Sequence, residues 1–457
     1  MVPGSQEGGV SEKVMRVANM SMARQFRDAS PEADLLLSLL RLRSESASPS
    51  HTGEILSREI CWEKFVSLAL RNRVLPTISH SLLSSCRDKI PPDIVAFIED
   101  RFRRNIQRNQ VLCRELIYLN KLFLAHDIQI INYKGPETVA RIGLNINECQ
   151  FNDLDFLLRE EQEVAARKLL LSHGYCLELA EGESGPRKDY TYVRQFNDDG
   201  TPSLIEALPE DVQRAGRIII EPHLHVTEYR LPITIESEAL WERAGHTEFL
   251  GASLPVLSDE DSLLILCVAG CKARWKNLKL VNHVAAAVRN LSHVSIERCL
   301  ENAKAAGCER MVLLGLLLAN GLLGVKVERE LIERAKRARL EKCAERVILA
   351  RSRDASPSFD YCPYPWKYSS IIRCTLDRSC DRARYLWRTI TRPYPIHRRR
   401  FPLPGPLQNL YSIIVPTHDY VLVPACRKLR RWYEGDRDNQ SDIHEALQEF
   451  RQREEQR

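Results

Sequence analysis

The sequence lacks most of the devices that would assign it to a class at once. Its fourteen cysteines form no C-x-x-C pair, which excludes zinc-ribbon and thioredoxin spacings. Cys149, Cys176, Cys267 and Cys271 stand in apolar stretches and read as small buried hydrophobes in a reducing compartment, not as a disulfide framework. No G-x-x-x-x-G-K-[ST] loop occurs, so a Walker-type nucleotide fold is excluded. No tandem repeat is visible, which removes solenoids and propellers. Residues 1–30 are polar and have no apolar segment of signal-peptide type. The most apolar stretch, 311–325, is interrupted by Asn320 and is short for a bilayer span, so a buried helix is expected there. A formal net charge of +5 is small for 457 residues and does not by itself argue for nucleic acid. These absences lead to the expectation of a cytoplasmic protein with no membrane span.

A hydrophobic content of 44% supports a real core, and the length allows two to four domains. Residues 1–30 read as a flexible N-terminus, and 31–127 as an N-terminal helical region. Leu35, Leu36, Leu39 and Leu40 share a helical face, and one helical habit runs from Trp62 to about Ser85. Pro91-Pro92 opens a long helix reaching toward Ala125. Residues 128–255 read as an α/β core. Strands are expected at 128–133, 151–158, 175–179, 190–196 and 217–226. A helix over 160–173 would turn Val164, Leu169 and Leu170 inward and end at Gly174. Residues 256–353 return to helices, with Ser258 as N-cap and Asp261 at the third helical position. A Pro- and aromatic-rich basic module covers 354–435, and its 366–434 segment holds fourteen Lys/Arg against four Asp/Glu. Residues 436–457 form a charged tail.

The chemistry concentrates on a few residues. Asp153 and Asp155 lie one residue apart in an apolar run, and in a strand positions i and i+2 face one side. Two like charges side by side call for a cation or a proton between them. A divalent metal, with phosphate oxygens completing its shell, is the simplest answer, and it points to metal-dependent phosphoryl or nucleotidyl transfer. Upstream, Lys134-Gly135 lies between a strand and a helix that starts at Pro136-Glu137; such a turn suits a phosphate. Glu221 ends the apolar run 218–220 and offers a third carboxylate, as metal ligand and as acceptor of a proton. Pro222 restricts that strand to an edge or an end. His223 and His225 keep zinc hydrolysis open as a competing reading. In 271–278, Lys272 and Lys276 would share a helical face, as would Cys271 and Trp275, giving a cation able to reach a triphosphate. The runs Arg398-Arg399-Arg400 and Arg427-Lys428-Leu429-Arg430-Arg431 read as solvated surface or an acidic-partner contact.

With these pieces in order the chain resembles bacterial nucleotidyltransferase family proteins of the DNA-polymerase-β-like superfamily. Asn72-Arg73-Val74-Leu75-Pro76 resembles that family's helical opening, Tyr133-Lys134-Gly135 its LKG motif, and Asp153-Leu154-Asp155 its D-x-D strand. Ile220-Glu221-Pro222-His223 is similar to its E-x-H strand, and the Gly270, Lys272 and Trp275 theme to its second helical domain; the region of Tyr411 and Pro416 is similar too. The chain departs from the pattern at Pro136, at Gln150 and at Asn282-His283. The resemblance implies an α+β fold: a small mixed sheet flanked by N-terminal and C-terminal helical regions, with the active site at the sheet edge. It implies transfer of a nucleoside monophosphate from an NTP to an acceptor hydroxyl or phosphate, with Mg²⁺. Asp153, Asp155 and Glu221 would be catalytic and metal-binding residues, and Lys134, Gly135 and Lys272 would meet the nucleotide. The acceptor stays open among a small molecule, a sugar, a peptide and a protein, with nucleic acid not favoured. The alternative is an inactive protein of the same fold that serves as a binding scaffold.

Overall fold

The computed structural model describes residues 22–42, 49–178, 191–195, 217–227, 230–352 and 370–391, with 410, 413, 414 and 417. The Pro-rich linker, the two arginine runs, Tyr411, Pro416 and the charged tail lie outside the described residues. Among those described, no helix is long and apolar enough to cross a membrane.

The helices that build the site's surroundings are α1 (Pro31–Leu42), α2 (Trp62–Arg71), α3 (Leu75–Cys86), α4 (Pro92–Leu124), α5 (Pro136–Arg141), α6 (Glu163–Ser172), α7 (Asp259–Lys272), α8 (Leu278–Asn290) and α9 (Glu309–Leu323). Early and late helices share one apolar core, in which Leu35, Leu39, Phe65 and Ile78 join Leu263, Val284, Leu316 and Ile348. Met22 and Phe26 belong to it as well, so packed helix begins before Pro31. The expected buried helix at 311–325 is α9, whose residues from Met311 to Leu323 are all buried. The single helical habit read over 62–85 is broken in two. Arg73 sits at φ 54°, in the left-handed region, between α2 and α3.

The sheet has seven strands: β1 (Ile130–Asn132), β2 (Asp153–Leu158), β3 (Cys176–Glu178), β4 (Thr191–Gln195), β5 (Arg217–His223), β6 (Gly245–Phe249) and β7 (Ala252–Val256). Their order is β3-β4-β5-β2-β1-β7-β6. It is mixed, as expected: β2 runs parallel to β5 and antiparallel to β1, while β1 and β7 are parallel. Leu154, Phe156, Leu158, Ile218 and Ile220 pack one face against α4 and α6 through Leu112, Leu116, Phe123 and Leu170. Val164, expected inward on α6, is instead exposed; Ala166, Leu169 and Leu170 carry that helix's buried face. Cys176, expected in an apolar setting, is exposed, whereas Cys149, Cys267 and Cys271 are buried. The β6–β7 hairpin was not anticipated. Its two-residue turn, Leu250-Gly251, has φ of 49° and 80°, the double positive φ of a type I′ turn. Helix α4 joins the two cores: Phe97 and Ile98 lie in the helical core, and Leu112 to Phe123 lie under the sheet.

Candidate active site

Alternation along two adjacent strands builds the site. On β2 the pattern puts Leu154 and Phe156 into the core and Asp153 and Asp155 on the opposite, partly open face. On β5 it buries Ile218, Ile220 and Pro222 and leaves Ile219, Glu221 and His223 on that same face. Parallel pairing then sets Asp155 opposite Glu221 and Asp153 opposite Ile219. Asp155 and Glu221 therefore lie side by side, with Asp153 on the same face. They stand on central strands, not at the sheet edge. Pro222 is accommodated because β5 has outrun β4 at that point, whose last described partner is Tyr192 opposite Ile220.

Asp155 is the most tightly held group. His223 Nε2 lies 2.8 Å from Asp155 Oδ1 and Lys134 Nζ lies 3.3 Å from the same oxygen. The short imidazole contact requires the ring proton on Nε2, because an ionised carboxylate only accepts. His223 thus orients Asp155, and its ring stacks edge-on against Tyr133 at 5.8 Å. Burial acts to raise the Asp155 pKa, but the Lys134 charge and the His223 hydrogen bond prevail and hold it well below the ordinary carboxylate range. Asp153 is shifted the other way, by burial first and then by the Asp155 charge. Glu221 is pushed up to about 7 by burial, then by Asp155 and Asp153. The donor set fits a divalent cation. Asp155, Glu221 and His223 each bring a ligand-type atom within 4.8 Å of the others, and Asp153 is not in that group; with its Nε2–H on Asp155, His223 leaves the two carboxylates as the oxygen donors.

The Lys134-Gly135 turn sits beside this cluster. Lys134 has φ 64°, a left-handed conformation that a lysine adopts only where the surroundings enforce it. Its ammonium lies 4.5 Å above the Tyr133 ring and bonds Asp155. Gly135 packs directly against the Glu137 carboxylate. A Cβ there would fall 2.4 Å from Glu137 Oε2. The Gly135 N–H, expected to face a phosphate, donates to Glu137 Oε1 at 3.2 Å, as does the Thr138 hydroxyl at 2.8 Å. Glu137 is fully buried, and burial raises its pKa.

Two further cations were missed by sequence reasoning. Arg108 of α4 donates to the carbonyls of Phe151 (3.2 Å), Asn152 (2.9 Å) and Arg217 (3.3 Å). It clamps the starts of β2 and β5 together. Lys279, in the first turn of α8, donates through Nζ to the Gln150 carbonyl, and its charge acts on Asp153 and Asp155. Lys272, the expected cation, ends α7 as an exposed residue. Lys272 and Lys276 do not share a helical face, because the helix stops at Lys272; Arg274 and Trp275 take φ of 54° and 51°. Trp275 folds back instead, its backbone N–H on the Gly270 carbonyl at 2.7 Å and its ring against Gly270. Asn72 locks the next helix in place. Its Oδ1 accepts from the Leu278 N–H and its carbonyl from the Lys279 N–H. The only available sequence signals for Lys279 were its spacing from Trp275 and the Asn72 motif, and neither names a partner.

A family model described as an uncharacterised nucleotidyltransferase matches residues 58–324, more than half of the chain and every residue of the site. A search of the curated proteins found no match.

Proposed function

The chain belongs to this nucleotidyltransferase family, and on that premise we propose that it moves a nucleoside monophosphate from an NTP to an acceptor hydroxyl with Mg²⁺. The observation that carries the reading is the in-register placement of Asp155 and Glu221 on paired parallel strands, with Asp153 on the same face. Asp155 and Glu221, whose ligand atoms lie within 4.8 Å of each other, would hold the metal, with Asp153 on the same face as the further carboxylate expected from the sequence. His223 is committed to Asp155 through Nε2–H, which favours an oxygen-ligand ion over zinc. When bound, the ion supplies charge neutralisation for the triphosphate and for the transferred phosphorus.

The chain's own residues do the rest. Lys134 balances Asp155 and places a positive charge beside the phosphates. His223 and Lys134 fix the Asp155 carboxylate from two sides, so its orientation exists before substrate arrives. Arg108 holds the strand starts in register. As the acceptor oxygen bonds the α-phosphorus, the bond from that phosphorus to the α,β-bridging oxygen breaks and pyrophosphate leaves. Glu221 takes the acceptor's proton. The test is incubation with each α-labelled NTP and a cell extract. Asp153→Asn and Asp155→Asn should abolish labelling with melting temperature kept within a few degrees; full labelling by both variants would remove the carboxylates from the chemistry.

A further inference from the structure

We propose that Cys374 and Cys343 form an oxidisable thiol pair, which a hydroperoxide converts to a disulfide joining two helices of the helical region. The inference stands apart from nucleotide transfer and uses residues outside that site. The helices are α10 (Glu341–Ser352) and α11 (Ser370–Thr375), both packed on α9. Cys343 is buried in the helical core, and Cys374 lies half-buried against it. Arg310 of α9 holds the two segments together. Its Nε donates to the Cys374 carbonyl and its Nη2 to the Ala338 carbonyl, each at 2.8 Å. The two sulfurs are within hydrogen-bond reach, Cys343 donating to Cys374, and both thiols are free.

The neighbouring cysteines supply the contrast. Burial pushes the thiols of Cys267, Cys299 and Cys308 up, which keeps them protonated and inert. Cys374 moves the other way. The Cys343 hydrogen bond lowers it, burial opposes, and the charges of Arg346, Arg310 and Arg373 lower it further. Those arginines come from α10, α9 and α11, one from each. Cys374 is thus the thiolate, and Cys343, raised by the same hydrogen bond and by burial, keeps the proton. A part-exposed thiolate among cations, with a second thiol beside it, is the arrangement a two-step oxidation needs. The Cys374 sulfur attacks one peroxide oxygen: the S–O bond forms, the O–O bond breaks, and hydroxide leaves and is protonated by solvent. The Cys343 sulfur then attacks the Cys374 sulfur: the S–S bond forms, the S–O bond breaks, and a second water departs with the Cys343 proton. Two thiols are oxidised to one disulfide, and one peroxide is reduced to water. The bridge fastens α11 to the helix that braces the start of α8. The Arg351 carbonyl of α10 accepts from the Asn72 amide, and its guanidinium donates to the Lys276 carbonyl.

The test treats the full, reduced chain with hydrogen peroxide, alkylates the remaining thiols and maps peptides by mass spectrometry. The expected product has lost about 2 Da and carries one linked pair, Cys343 with Cys374, which dithiothreitol reverses. In Cys343→Ser the link cannot form, and Cys374 should be trapped by dimedone as its sulfenic acid. Should Cys343→Ser not fold, Cys374→Ser is read instead: Cys343 should then remain open to alkylation after peroxide. Cys374 recovered fully alkylated from the peroxide-treated wild type overturns the proposal. So does Cys374 linked to any other cysteine, or a Cys343 that oxidises equally well in Cys374→Ser.

Discussion

At the scale of single residues, the site is a balance between one deeply ionised acid and two reluctant ones. Asp155 keeps its charge through Lys134 and His223, whereas Glu221 is pushed up to about 7 by burial and by its acidic neighbours. The sign of the consequence is definite. Between about pH 4.5 and 7 the folded protein holds a proton on Glu221 that the unfolded chain has released, so this group's contribution to stability falls as pH rises through that window. In metal-free buffer, Glu221→Gln should therefore stabilise the protein more at pH 8 than at pH 5, as read from urea midpoints, while abolishing transfer. An equal effect at both pH values would show that Glu221 is not strained in the bare site. The aspartate pair was legible in the sequence because strand alternation is a local rule, and Glu221 was legible from its place at the end of an apolar run. Lys279 and Arg108 were not, because both act on backbone carbonyls distant in sequence. Gly135, expected to lie against the triphosphate, has the Glu137 carboxylate beside it instead.

At the scale of elements, helix ends position the chemistry. Ser258 caps α7 as its sequence pattern indicated, accepting from the Asp261 N–H at 3.1 Å. The other end of α7 could not be read locally. Helical spacing runs on past Lys272, yet the chain turns at Arg274 and Trp275 because the Trp275 ring has a slot over Gly270 and Gly315. That slot fixes where α8 begins and hence where Lys279 stands. A Cβ at Gly270 would lie 2.5 Å from the Trp275 ring. Gly270→Ala should then cost about 1–3 kcal/mol by overpacking and weaken NTP binding together with stability, measured by urea denaturation and calorimetry on the same sample. A neutral Gly270→Ala would mean the fold-back does not set the start of α8. The β6–β7 hairpin escaped notice for a related reason. Its type I′ turn carries Leu250 where Asn or Asp would have announced it.

At the scale of the whole molecule, the site lies where a sheet and a helical body meet. The order of helical and strand segments was legible from periodicity, and the mixed sheet only through the family resemblance. The union of early and late helices in one core was not, because nothing in sequence links Leu39 to Leu316. Helix α4, 33 residues long and about 50 Å from end to end, is common to both cores and delivers Arg108 between them. Sheet and helical body thus bring Lys279 near enough for its charge to act on Asp153 and Asp155. The most direct measurement of this account is Mg²⁺-dependent NTP binding by calorimetry, wild type against Asp155→Asn. The account predicts binding by the wild type that requires Mg²⁺ and a loss of at least tenfold in the variant. NTP binding that ignores both Mg²⁺ and the substitution would contradict it.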